Sequence, residues 1–417
     1  MSCAGLRQKL HAVGPGILFA GAAIGVSHLV QSTRAGAGYG FGLLWAVVLV
    51  LIFKYPFFQY AHRYTVATGE SLLQGYRRLG VWALALFMGV VVVSSFITMA
   101  AVTMVTAGLA GALLGLDISL TLLSLVLLVV IMALLVVGHY RLLDGLMKIM
   151  VLVLGTLTLT AVVIAAVHGP AGDPGFARPE VWSLGGLTFL LALMGWMPAP
   201  LDIGAWSSLW ILEKHKDDAQ PPTMTQALLD FNLGYAATVV LAFAFISFGA
   251  LVMFGTGVEF SPSGIIFSRQ LVDMYTGTLG NWSRWMIALV AFITMFSTTI
   301  TVMDGYARTL AAGTALLFRP SGKPDPRASF FFMILLVVLA VGIIAFFMGG
   351  MRTLVDVATV LAFLTAPLVA VLNFSVVRGG NMPPNQRPGR FLSLLSWAGI
   401  VFLAGFGLVW IWVRWLS

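Results

Sequence analysis

Apolar residues run in membrane-length stretches along the whole 417-residue chain, separated by short breaks of charge, glycine and proline. Because about twenty apolar residues cross a bilayer as a helix, each stretch reads as a spanning helix. The pattern predicts eleven: 14–36, 40–62, 81–110, 118–138, 143–167, 184–212, 225–255, 282–316, 328–348, 353–377 and 392–415. The fold class is therefore all-α and polytopic. Two spans carry breakers at mid-length. The first contains "GAAIGVSHLVQSTRAG" (21–36), which is rich in glycine and polar side chains. The sixth contains "GWMPAPLDIG" (195–204), in which Pro198 and Pro200 lack the backbone donor that a helix interior needs. Unwound backbone at membrane depth survives only where it faces protein or a water-filled cavity. Both breaks should point into the bundle.

Composition agrees with this reading. The chain is 60% hydrophobic and 9% charged, whereas a soluble domain carries roughly a quarter charged residues. Placing the N-terminus inside and alternating puts sixteen Lys and Arg on inner segments and six outside, with Lys54 within span two; 16 + 6 + 1 accounts for all 23. That bias predicts a cytoplasmic N-terminus and an integral protein of a prokaryotic cytoplasmic membrane. The net charge of +8 then reflects orientation in the lipid bilayer, not nucleic-acid affinity. The single cysteine, Cys3, forms no internal disulfide, and no small-residue cleavage site follows the first apolar run.

The two breaks lie five spans apart. An odd number of spans per repeat makes two such repeats inverted. Interrupted helices at matching places in two halves point to a transporter site. The expectation is a single transporter domain of 5+5 inverted repeats, about 14–167 and 184–377, with an extra helix at 392–415. A kink with only a packing role is the alternative at either break alone.

"GPGILFAGAAIGVSHLVQSTRAGAGYGFGLLWAVVL" (14–49) and "LMGWMP" (193–198) resemble the first, second and sixth helices of the Nramp divalent-metal transporters. The resemblance implies a LeuT-type fold and a secondary active transporter, a symporter, working by alternating access. A divalent metal ion is the cargo it implies. The family's first-helix Asp-Pro-Gly-Asn motif reads Gly25-Val26-Ser27-His28 here, and its Met-Pro-His motif reads Met197-Pro198-Ala199. The third-helix stretch "SSFITMAAVTMVTAG" (94–108) lacks the family's two proton-transfer carboxylates. The family's usual metal-binding and proton-coupling residues are thus replaced. An ion-coupled transporter of a small organic solute or anion on the same fold is the competing reading.

Candidate substrate-binding residues are Gly25, Ser27, His28, Met197, Ala199 and Asp202. Among them His28, Met197 and Asp202 could ligate a metal through imidazole, thioether and carboxylate. His28 could equally be a neutral ring bonded to a carbonyl freed by the break, or a proton relay. Asp202 could be a ligand, a counter-charge to His28, or a first-turn acid satisfying free amides. Candidate coupling or gating residues are Gln31, Thr298, Thr299 and Asp304. The LeuT-type fold implies that hydroxyls at Thr298 and Thr299 can hold sodium with carbonyls of the first helix. Back-bonding to their own helix is the bland reading. Asp304 and Arg308 share a helix face and read as an ion pair. Arg34 is placed at the outer end of span one, as a marker or a gate. Lys54 should snorkel to the inner interface, and Arg77 and Arg78 should meet anionic lipid. A short outer helix is expected at 264–275, with Ile265, Ile266, Leu271 and Val272 on the membrane interface. No cofactor motif appears, and no HExxH or similar cluster supports an enzyme. Metal or sodium enters only as a transported or coupling ion.

Overall fold

The computed structural model describes residues 15–115, 118–138, 140–173, 175–214, 216, 222–319, 325–347 and 350–416. Cys3 and most of the inner segment 213–222 lie outside the described residues. Fifteen α-helices follow in chain order: α1 (Pro15–Ala23), α2 (Thr33–Tyr39), α3 (Leu44–Thr68), α4 (Leu72–Leu79), α5 (Val81–Leu114), α6 (Leu120–Val137), α7 (Tyr140–His168), α8 (Leu184–Trp196), α9 (Ile203–Lys214), α10 (Met224–Val252), α11 (Gly264–Leu279), α12 (Arg284–Phe318), α13 (Pro326–Phe346), α14 (Gly350–Val377) and α15 (Arg390–Leu416). Eight continuous helices are long and apolar enough to cross a membrane. With α7 and the two broken pairs α1/α2 and α8/α9, eleven spans result (8 + 1 + 2).

The arrangement is that of two interlocked halves. Span one packs on α10, the seventh span, while α9 of span six packs on α3, the second. Each broken helix is thus braced by the helix that follows its counterpart. Glycines permit the close approach of α2 to α10. A Cβ on Gly36 would stand 2.0 Å from the Ile246 carbonyl oxygen, and one on Gly249 would stand 2.3 Å from that of Thr33. At the N-terminal end of α1, the Asp230 carboxylate on α10 accepts the Gly16 N–H at 2.7 Å, a charged acceptor at a helix N-terminus. Of the eight continuous spans α12 is the most enclosed, with 72% of its apolar window buried, against 22% for α13 and α15 at the periphery.

Three peripheral expectations change. The outer helix is longer than expected, Gly264–Leu279, and Leu271 and Val272 are buried against the protein. Only one of its faces can meet the interface, and these two side chains lie on the other; Ile266 is exposed. Arg78 pairs with Glu70 at 2.5 Å and Arg77 donates to the Leu316 carbonyl, because the capped turn at Ser71 and Gln74 folds α4 back onto α3 and α5. Lys54 is fully buried, and the break in span six supplies the reason.

Candidate functional site

The first span unwinds at Ile24 and Gly25 and resumes as a π-helical turn, Ser27–Ser32. Such turns are rare and cluster at functional sites. Gly25 is required by contact with α12: a Cβ there would lie 2.7 Å from Thr298 Cγ2 and 2.8 Å from its Oγ1. The Thr298 hydroxyl lies 3.5 Å from the Gly21 carbonyl oxygen, 3.4 Å from that of Ile24 and 3.0 Å from that of Thr294. One hydroxyl hydrogen serves one acceptor at a time. The cluster is therefore rich in acceptors, and it sits at the negative pole of α1.

The sixth span ends its first half at Trp196 and restarts at Ile203, with a cis Met197–Pro198 peptide between. Carbonyls at the end of α8 lose their helical partners. Lys54 takes them: its Nζ donates to Met194 at 2.7 Å, Gly195 at 2.6 Å and Ala199 at 3.3 Å. The break supplies at membrane depth the oxygens that a snorkelling lysine would seek at the interface.

Between the breaks lies a compartment of about 30 Å³, walled by Ala22, Ala23, Val26 and Ser27 from span one, Trp196, Pro198, Ala199, Pro200, Ile203 and Trp206 from span six, Thr98 and Val102 from α5, and Thr298 and Val302 from α12. Among the described residues no carboxylate, imidazole or thioether lines it. Trp196 and Trp206 line it, and their buried indole N–H groups have no acceptor among the described residues. Ser27 donates to the Ala23 carbonyl at 2.5 Å.

The expected site residues therefore divide. Ser27, Ala199 and Thr298 reach the compartment, and Gly25 supports it from behind. His28 does not line it: Nε2 lies 3.0 Å from the Thr238 carbonyl on α10, and Nδ1 lies 2.7 Å from Ser27 Oγ and 3.1 Å from the Ala23 carbonyl. Met197 is buried without lining it. Asp202 occupies a second, smaller space with Ser94 and Tyr306, whose hydroxyls lie 3.3 and 2.9 Å from Oδ2. The three residues considered as metal ligands thus do not converge on the compartment. Among the described residues no group of three or more His, Cys, Asp or Glu is placed to hold a metal ion. Thr299 bonds Thr106 on α5 at 2.7 Å. Asp304 pairs with Arg308 at 2.7 Å and accepts the Trp210 indole N–H at 2.9 Å, joining α12 to α9.

Toward the expected outer side, α2 is locked to α14. Arg34 forms a two-pronged bridge to Asp356 at 2.7 and 3.0 Å, and Gln31 bonds both members and Thr359. Arg34 also lies over the Phe189 ring on α8. Asp356 and Tyr306 escaped the sequence reading, which placed Lys54 at the inner interface instead of at the break. Asp356 had a signal, as an acid inside a span; Tyr306 had none.

The sequence model of the family described as natural resistance-associated macrophage protein-like matches residues 16–413. An uncharacterised protein of Pasteurella multocida is 37% identical over 410 residues, 97% of this chain and 93% of its own. Among solved structures, the manganese transporter of Eremococcus coleocola superposes with a TM-score of 0.72 at 13% identity, covering 98% of this chain and 87% of the other. MhsT in complex with L-phenylalanine superposes at 0.64 with 12% identity, covering 95% and 98%.

Proposed function

The chain belongs to the Nramp family of transporters, and from that premise we propose that it carries a small organic solute, not a transition metal, by alternating access coupled to sodium. The observation that carries this reading is the wall of the compartment between the breaks. Its unpaired groups are the Trp196 and Trp206 indole N–H donors. A dication in low dielectric requires anionic or soft ligands, and this wall offers none. A solute with an apolar body and a carboxylate or carbonyl end suits it: the body meets Ala22, Val26, Val102 and Val302, and the acceptor end meets the indoles and the N-terminus of α9 at Ile203. The superposed structures, one a manganese transporter and one holding L-phenylalanine, support treating the fold as neutral on cargo.

Sodium coupling rests on the oxygens of Gly21, Ile24, Thr294 and Thr298. Occupancy there would tie α1 to α12 and hold the first break in shape. The Arg34–Asp356 bridge closes the outer side, so its release opens the route in. Thermal stabilisation of the purified protein separates the cargo readings. Small carboxylates, amino acids and amides are screened beside manganese, cadmium, magnesium and calcium, in sodium and in choline buffer. A sodium-dependent shift by an organic solute, with none by the metals, is expected; a shift by manganese alone would reverse the assignment.

A further inference from the structure

Lys54 sits in mid-span, fully buried, and its hydrogen-bond partners among the described residues are main-chain oxygens at the break of span six. An ammonium group carries three hydrogens and no lone pair, whereas a neutral amine carries two hydrogens and a lone pair. Three carbonyl acceptors around one nitrogen match the ammonium; a neutral amine would leave one oxygen against its lone pair. Two of those carbonyls, Met194 and Gly195, lie in the last turn of α8, where the helix presents its negative pole. Without the lysine side chain, what remains is a buried cage of three oxygens at a helix C-terminus, the chemistry of a monovalent cation site.

We propose that the break in span six is a cation site filled by the protein's own cation, with Lys54 as a tethered ion that sets the charge selectivity of the neighbouring compartment. Ala199 joins the two: its carbonyl binds Lys54 and the residue lines the compartment. A divalent ion entering would meet a fixed positive charge across one peptide unit, while an acceptor-bearing solute would not. Asp202, three residues beyond Ala199, is a buried acid on the same stretch of span six. Among the described residues its Oδ1 has no hydrogen-bond partner.

The test reads stability and needs no substrate, so it succeeds or fails independently of the cargo reading. Full-length Lys54→Ala and the parent, each fused to a fluorescent protein, are solubilised in n-propylammonium, ammonium or tetramethylammonium chloride at matched ionic strength. The monodisperse fraction is followed against temperature. Tetramethylammonium has no N–H to donate and serves as the blank. Lys54→Ala should lose monodisperse protein in the blank and regain it in propylammonium, with a midpoint rise of about 2–4 °C and a smaller rise in ammonium. The parent should not move between salts. Lys54→Met, whose side chain occupies the space of the lysine stem, should not be rescued by any salt. Equal behaviour of Lys54→Ala in all three salts, including no recovery in any, would overturn the proposal. So would an equal shift in the parent.

Discussion

At the scale of single residues, Gly25 and Thr298 make the sharpest demand on each other. Gly25→Ala would place a carbon 2.7 Å from the threonine methyl, and overpacking of this kind costs about 1–3 kcal/mol. The variant should show a lower thermal midpoint and should lose solute-dependent stabilisation. Thr298→Ala leaves the helix intact but removes the hydroxyl that faces the Gly21 and Ile24 carbonyls. The expected result is a thermal midpoint that no longer differs between sodium and choline; a sodium effect of parental size would remove Thr298 from the coupling site. Gly25 was legible in the sequence because a glycine amid polar residues in an apolar run has a local signature. Lys54 was not. Followed by Tyr55 and Pro56, it looks like a side chain leaving the bilayer, and the carbonyls that hold it inside lie about 140 positions away in the chain. His28 was legible as a polar group at a break, but its direction was not: the π-helical turn rotates the ring toward Thr238 and away from the compartment.

At the scale of elements, both breaks were readable from glycine and proline alone, as was the inverted relation between them. The lock between α2 and α14 was not, because Arg34 and Asp356 are 322 residues apart and only the closure of the bundle brings them together. Charge-assisted bonds of this geometry contribute about 1.5–3 kcal/mol when sheltered. Asp356 is 24% exposed, so the lower part of that range applies. Asp356→Asn should therefore shift the population toward outward opening about tenfold. A cysteine at Val26, which lines the compartment, reports this in a Cys3→Ala background. Its labelling by a membrane-impermeant thiol reagent from outside should accelerate by that factor in Asp356→Asn. Unchanged labelling would mean that the bridge is not a gate.

At the scale of the whole molecule, hydropathy carried the fold because lipid imposes one rule on every spanning segment: backbone groups must be satisfied within it. The rule fails only where a segment is enclosed, and those two places define the compartment. With eleven spans and the orientation expected from the distribution of basic residues, a fusion after Ser417 should lie outside. A periplasmically active phosphatase fused there should be active, and one fused within 213–222 inactive; the reverse pattern would invert the topology. Cargo is also a property of the whole assembly, since the compartment draws its walls from spans one, three, six and eight. The most direct measurement is manganese uptake into proteoliposomes under a sodium or proton gradient. The account predicts a flux no greater than that of protein-free vesicles. Saturable manganese uptake that falls in Met197→Ala would contradict it.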